Sequence, residues 1–293
     1  EILFGDWSSD VCSSDLIQIK EMIIVPVHVD HSVPAAYGFI LYTSSGPIVY
    51  TGDFRRHGPL GKMTEDFLNE IQTHAYYKTL LPSIQPATQF CDLNQYNQGP
   101  RAMICEGTKV HKGIVESERF VQDNLEYLFE RNPYDFLLVK FERTDWDRFR
   151  TYSDLARKNG WEFIIGERDA YFYHLLNTDP NHETMRKPNI LEEEHIRIIK
   201  AGDARFKWLS DIRQQVYSAK KGAKFLEEEE LHQRERQFIF LFNTLNPNNQ
   251  DLISYWSADM RGAFISSSID PYSETIYDNT EDLSKKLLEF GLP

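Results

Sequence analysis

At 293 residues and 41% hydrophobic content, the chain is long enough for a sizeable core, divided between two lobes. Its 32 basic and 45 acidic residues give a net charge of −13. That balance argues against a general electrostatic grip on nucleic acid, though not against a local basic cleft. Three cysteines make no disulfide framework or zinc-knuckle spacing, and there is no signal-peptide pattern or long apolar stretch. The expectation is a soluble, cytoplasmic protein with no membrane partner.

Residues 5–16, Gly5-Asp6-Trp7-Ser8-Ser9-Asp10-Val11-Cys12-Ser13-Ser14-Asp15-Leu16, look unlike the start of a domain. They carry no apolar periodicity and repeat Ser-Ser-Asp. In one frame they back-translate to a sequence similar to a common short-read sequencing adapter. Residues 1–16 are therefore read as a non-native segment, with native sequence starting near Ile17. Without Glu1, Asp6, Asp10 and Asp15 the balance is 32 basic against 41 acidic residues, or −9, and Cys91 and Cys105 remain.

Met22 to Val29 reads as a strand leading to His31. Gly38 to Tyr42 alternates, Ser44-Ser45-Gly46 reverses the chain, and Pro47 to Tyr50 returns toward Thr51-Gly52-Asp53. A histidine and an aspartate at the ends of adjacent strands are well placed for a divalent metal, because imidazole and carboxylate both suit zinc. A surface histidine in a loop and an aspartate in a turn is the competing reading of the same residues. The next turn, Asp53-Phe54-Arg55-Arg56-His57-Gly58, is rich in donors. Arg55 and Arg56 are candidates for phosphate, since guanidinium forks bind it bidentately, or they are two solvated arginines.

Thr64 to His74 predicts a helix with Thr64 as N-cap and Phe67, Leu68 and Ile71 inward. Residues 75–99 read as an irregular connection. Arg101 to Cys105 reads as a short buried strand ending at Glu106, a carboxylate placed for chemistry or for capping the next loop and helix. Beyond Gly113 the expected elements are a helix over 116–131 with Phe120, Leu125, Leu128 and Phe129 inward, a strand over 136–139, a helix over 146–158 and a strand over 161–165. Strand, helix, strand with short links predicts a parallel βαβ unit. Then come a loop over 177–194, a strand over 196–199, a largely helical stretch over 205–236, and a strand over 238–242. A helix over 251–258, a strand over 263–266 and a helix over 281–290 close the chain. No internal repeat, Walker loop or GxGxxG fingerprint occurs.

DHSVPAAYGF followed by IVYTGDFRRHG resembles the third and fourth motifs of the metallo-β-lactamase fold. The version is that of its nucleic-acid-processing β-CASP branch, which includes ribonuclease J and the endonuclease of mRNA 3′-end processing. CEGT at 105–108 resembles that branch's acidic motif A, and the strand–turn–Asp147-Arg148–helix run is similar to its inserted domain. The resemblance implies an α/β fold: a partial metallo-β-lactamase αββα sandwich over 17–113 and an inserted β-CASP domain with a mainly parallel sheet over 114–293. It implies His31 as a metal ligand, Asp53 as the carboxylate bridging two zinc ions, and Glu106 as the residue orienting a general-acid histidine. Asp53 and Glu106 are thus the catalytic candidates, and Arg55 and Arg56 the substrate-binding ones.

His28-Val29-Asp30-His31 imitates the second half of the family's HxHxDH motif, but Pro26 stands where its first histidine belongs, and no HxHxDH occurs. The final residues, SSSIDPYSETIYDNTEDLSKKLLEFGLP, resemble the segment that precedes the family's last histidine motifs. The chain is therefore expected to be a fragment cut at both ends. The function implied is that of a zinc-dependent RNA-processing nuclease, inactive as given, with RNA as partner and DNA as the other candidate. In the complete enzyme two zinc ions would share the attacking hydroxide. Two alternatives stand beside it: a metallo-β-lactamase-fold hydrolase of a small ester or thioester, and a noncatalytic RNA-processing subunit. If the assignment holds, His31, Asp53 and Glu106 should meet in one place although they lie on separate segments.

Overall fold

The computed structural model of this mixed α/β protein describes residues 17–20, 22–80, 99–107, 117–131, 134–178, 190–200, 207–219, 222–226, 230, 237–242, 256 and 260–266. The chain divides into two compact units, Glu1–Val121 and Gln122–Pro293. The boundary expected at Gly113, the expected helix over 281–290 and most of the one over 251–258 fall outside the described residues.

In the first unit, β1 (Ile17–Ile19), β2 (Met22–His28), β3 (Tyr37–Thr43), β4 (Gly46–Tyr50) and β5 (Ala102–Ile104) form one sheet in that order. The first three pairings are antiparallel, and β4–β5 is parallel. Thr43 shapes the β3–β4 turn: its hydroxyl donates to Gly46 O at 2.8 Å and accepts from Ser45 N at 3.2 Å. With that register set, alternation buries Ile23, Val25, Val27, Ile40, Tyr42 and Val49 on one face. Helix α1 (Gly61–Thr73) covers them with Phe67 and Ile71.

The other face is also apolar. Ile24, Pro26, Phe39, Leu41 and Ile48 are half-buried there, and Tyr37, Tyr50 and Ile104 are exposed. Aromatic rings run across it, with centroids 4.1 Å apart for His28–Tyr37, 6.3 Å for Tyr37–Phe39 and 6.4 Å for Phe39–Tyr50. An antiparallel sheet with one solvated face normally alternates with polar residues, and this one does not.

Three local expectations are corrected here. Helix α1 begins at Gly61, so Thr64 is a fully buried residue inside it rather than its N-cap, and its hydroxyl serves other partners. Residues 75–80 form helix α2 (Ala75–Leu80) instead of irregular chain. Its first amides are satisfied by the buried Glu70 carboxylate, which accepts from Tyr76 N at 3.0 Å, so its cap comes from the preceding helix. His74, at φ 52°, ends α1 between the two. Finally, β5 is an exposed edge strand and not a buried one, with Met103 48% and Ile104 59% exposed.

Helix α3 (Glu118–Arg131) buries Leu125, while Phe120 stands exposed rather than inward. In the second unit six parallel strands form one sheet: β6 (Phe136–Lys140), β7 (Glu162–Gly166), β8 (Ile196–Ile199), β9 (Lys224–Leu226), β10 (Phe238–Leu241) and β11 (Gly262–Ser266). Their order across the sheet is β11-β6-β10-β7-β8-β9. Hydrophobic runs such as Phe136-Leu137-Leu138-Val139, fully buried, are what a sheet covered on both faces requires.

On one face Trp256 packs its ring 4.9 Å from Phe238 and 5.5 Å from Phe240. On the other, α4 (Trp146–Asn159) and α5 (Glu167–Thr178) bring Phe149 within 5.3 Å of Phe163 and 3.8 Å of Tyr173. Asp145 caps α4 by accepting from Arg148 N at 3.0 Å, and Gly160 ends it in the left-handed conformation. β6 and β7 run parallel, but β10 lies between them.

The stretch expected to be helical over 205–236 contains α6 (Lys207–Ser218) and then β9. Gly222 makes the break. Its φ is 107°, and a Cβ there would run into the Leu191 carbonyl. Gly222→Ala is expected to destabilise the second unit by about 3 kcal/mol or more, from backbone strain plus the clash, read as a lowered denaturant midpoint.

Candidate functional site

β2, β4 and β5 point the same way, because β3 reverses the chain between the first two and β5 runs parallel to β4. Their C-terminal ends therefore share one edge of the sheet. His31 follows β2, Asp53 follows β4 and Glu106 follows β5. Gly52 permits the turn into Asp53: its φ is 59°, and a Cβ would meet the Tyr37 carbonyl. Thr51 ties the two loops, donating its amide to Ile104 O at 3.0 Å and accepting Glu106 N on its hydroxyl at 3.3 Å. The Glu106 carboxylate reaches back and accepts Phe54 N at 3.0 Å, beside Asp53.

His31 lies within electrostatic reach of Asp53, Arg55, Glu106 and Asp30. Burial lowers its pKa from the ordinary value. Arg55 adds to the fall, and the carboxylates of Asp53, Glu106 and Asp30 oppose it. Its Nδ1 accepts from Val33 N at 3.1 Å. A backbone N–H can only donate, so the neutral ring carries its proton on Nε2. Asp53 is exposed.

The two arginines part company. Arg55 turns inward, with Nε and Nη2 each 3.2 Å from Asp30 Oδ1. Arg56 is 63% exposed, with Glu65 at 3.9 Å. Of the two, Arg56 is the one that stands out in solvent. Neither Asp30 nor Thr64 was legible as part of this edge. The only sequence signal was an aspartate directly before His31 in a strand-end loop.

Imidazole and carboxylate are the right donor types for zinc. In number they fall short, since no group of three His, Cys, Asp or Glu side chains disposed to hold a metal occurs among the described residues. Binding at His31 Nε2 would also require that nitrogen to give up its proton.

A second constellation lies in the second unit. Ser153 Oγ is 3.0 Å from His195 Nε2, and His195 Nδ1 is 3.3 Å from Glu193 Oε2. The order hydroxyl, imidazole, carboxylate is that of a nucleophilic triad. Ser153, however, is fully buried in the middle of α4, where no substrate reaches it. The relay instead ties α4 to the segment entering β8, where His195 O also accepts Phe163 N at 2.9 Å.

No protein-family model matches the chain, and no curated protein does. Among solved structures, the chain is similar to a crystal structure of a protein of unknown function from Enterococcus faecalis V583. The TM-score is 0.59 at 16% identity, over 95% of this chain and 53% of that one. At that identity the likeness shows a shared fold alone, and this chain spans about half the length of its structural neighbour.

Burial lowers the His195 imidazole to about 4, with Arg157 adding to the fall. A histidine whose folded pKa is depressed is held neutral by the fold. Its contribution is intact above about 6.5 and lost as pH falls toward 4, where the unfolded chain takes up the proton first. Between pH 7 and 5 the wild type is expected to lose about 1–2 kcal/mol that His195→Gln does not lose. Denaturant unfolding of both proteins at the two pH values checks this.

Proposed function

We propose that the first unit carries part of a metal-dependent phosphodiester-hydrolysing centre of the β-CASP metallo-β-lactamase type, with RNA as the substrate class. The supporting observation is that His31, Asp53 and Glu106, far apart in sequence, follow three strands whose C-terminal ends share one sheet edge. The six-stranded parallel sheet of the second unit is compatible with the inserted domain of that branch.

His31 and Asp53 are the residues that would hold zinc, and bound zinc supplies an activated hydroxide and charge neutralisation at phosphate. This chain's own part is to present the imidazole and the carboxylate and to fix the loop between them. Glu106, bonded to Phe54 N, holds the Asp53 turn and keeps a carboxylate one step from the metal side. Arg56, on the exposed side of the turn, faces the solvent from which a phosphate backbone approaches.

Calorimetric titration of zinc into the 293-residue chain should show binding that weakens about tenfold or more in His31→Gln and in Asp53→Asn. A catalytic zinc commonly takes three protein ligands, so single-stranded RNA should not be turned over by this chain alone. Zinc binding indifferent to both substitutions would overturn the reading. Turnover of a thioester or small ester in preference to RNA would replace it with the small-molecule hydrolase.

A further inference from the structure

Beneath the candidate edge lies a buried ion pair that neither composition nor motif pointed to. Asp30 directly precedes His31 and is 1% exposed. Its Oδ1 takes both Nε and Nη2 of Arg55 at 3.2 Å, and the Arg55 side chain is itself only 13% exposed. The backbones join as well, since Arg55 N donates to Asp30 O at 2.8 Å. Thr64, from α1, closes the ring: its hydroxyl accepts Asp30 N at 2.9 Å and donates to Arg55 O at 2.8 Å. Gly58 lids the pair, because a Cβ there would run into both Asp30 Oδ2 and the Arg55 guanidinium. Asp30 Oδ2 has no hydrogen-bond partner among the described residues. A buried carboxylate left with one cation as its main partner is held tightly to that cation.

Every bond in this ring is made within two residues of His31 or Asp53. The loop after β2 and the loop after β4 are separated by a whole strand, β3, so the sheet alone does not fix their tips against each other. The ring does. We propose that Arg55 is a positioning residue, clamped on Asp30 and Thr64, that sets the His31 imidazole against the Asp53 carboxylate and is not itself available to substrate phosphate. The inference rests on the reading of His31 and Asp53 as one site, and it reassigns one of the two arginines expected to bind substrate.

The test is a double-mutant cycle on the full metal-free chain with 15N-labelled histidine, at one fixed pH. The chain has nine histidines, and His31→Gln assigns the one of interest. In the wild-type background, Asp53→Asn should shift the His31 ring nitrogens, because that carboxylate lies within electrostatic reach. In an Arg55→Met background the same change should move them by less than half as much. Thr64→Val removes two bonds of the ring without altering any charge, and it should reduce the shift in the same direction. It also decides the matter if Arg55→Met fails to fold. The buried His74 and the partly buried His195 serve as the folding control, their resonances staying in place.

An undiminished Asp53 effect in either folded variant would overturn the clamp. So would a wild-type chain in which Asp53→Asn leaves His31 unmoved. If the coupling depends on Arg55 but zinc binding is indifferent to His31 and Asp53, the clamp stands and only the functional reading falls.

Discussion

The first unit is organised around one carboxylate that cannot reach water. Asp30 follows the buried Val29 at the end of β2, and its charge has to be matched within the protein. Removing one partner of such a pair typically costs about 3–5 kcal/mol, because the other is stranded in a medium that solvates it poorly. Arg55 supplies the match from the loop after β4, and Thr64 supplies a hydroxyl from α1. Three segments distant in sequence are thereby fixed to one point. His31 directly follows Asp30 and Asp53 lies two residues before Arg55, so both candidate residues flank that point.

The sheet provides the other constraint. Strands β2, β4 and β5 deliver three candidate side chains to one edge because β3 is antiparallel to its neighbours while β5 crosses back to run parallel. Both faces of this sheet are apolar, one of them packed on α1 and the other carrying the ladder from His28 to Tyr50. In the second unit the same demand for two-sided coverage is met by helices and by Trp256, and its central strands β6, β7 and β10 carry buried apolar runs.

The contrast between the two acid–histidine clusters is instructive. His31, Asp53 and Glu106 lie at the open edge of a sheet with Asp53 exposed. Ser153, His195 and Glu193 approach triad distances, yet their hydroxyl is sealed inside α4. Distances alone would have ranked the second cluster first. Access to solvent is what separates them.

The sequence by itself determined the elements whose signal is local. The β2 to β4 strands, the turn at Ser44-Ser45-Gly46, helix α4 and the apolar strands β6, β7 and β10 come from alternation, turn residues and apolar runs, each read within a window of several residues. The resemblance of DHSVPAAYGF, TGDF and CEGT to known family motifs singled out His31, Asp53 and Glu106, whereas the residue types alone read equally as ordinary loop, turn and capping residues. Only the tertiary structure decided what depends on partners far along the chain. It started α1 at Gly61 and moved Thr64 from cap to bridge; it made 75–80 helical through Glu70, exposed β5 and placed β10 between β6 and β7. It also turned Arg55 inward. A guanidinium reads the same in sequence whether it faces solvent or a buried carboxylate 25 positions away, and the difference is made by the desolvated charge it has to neutralise.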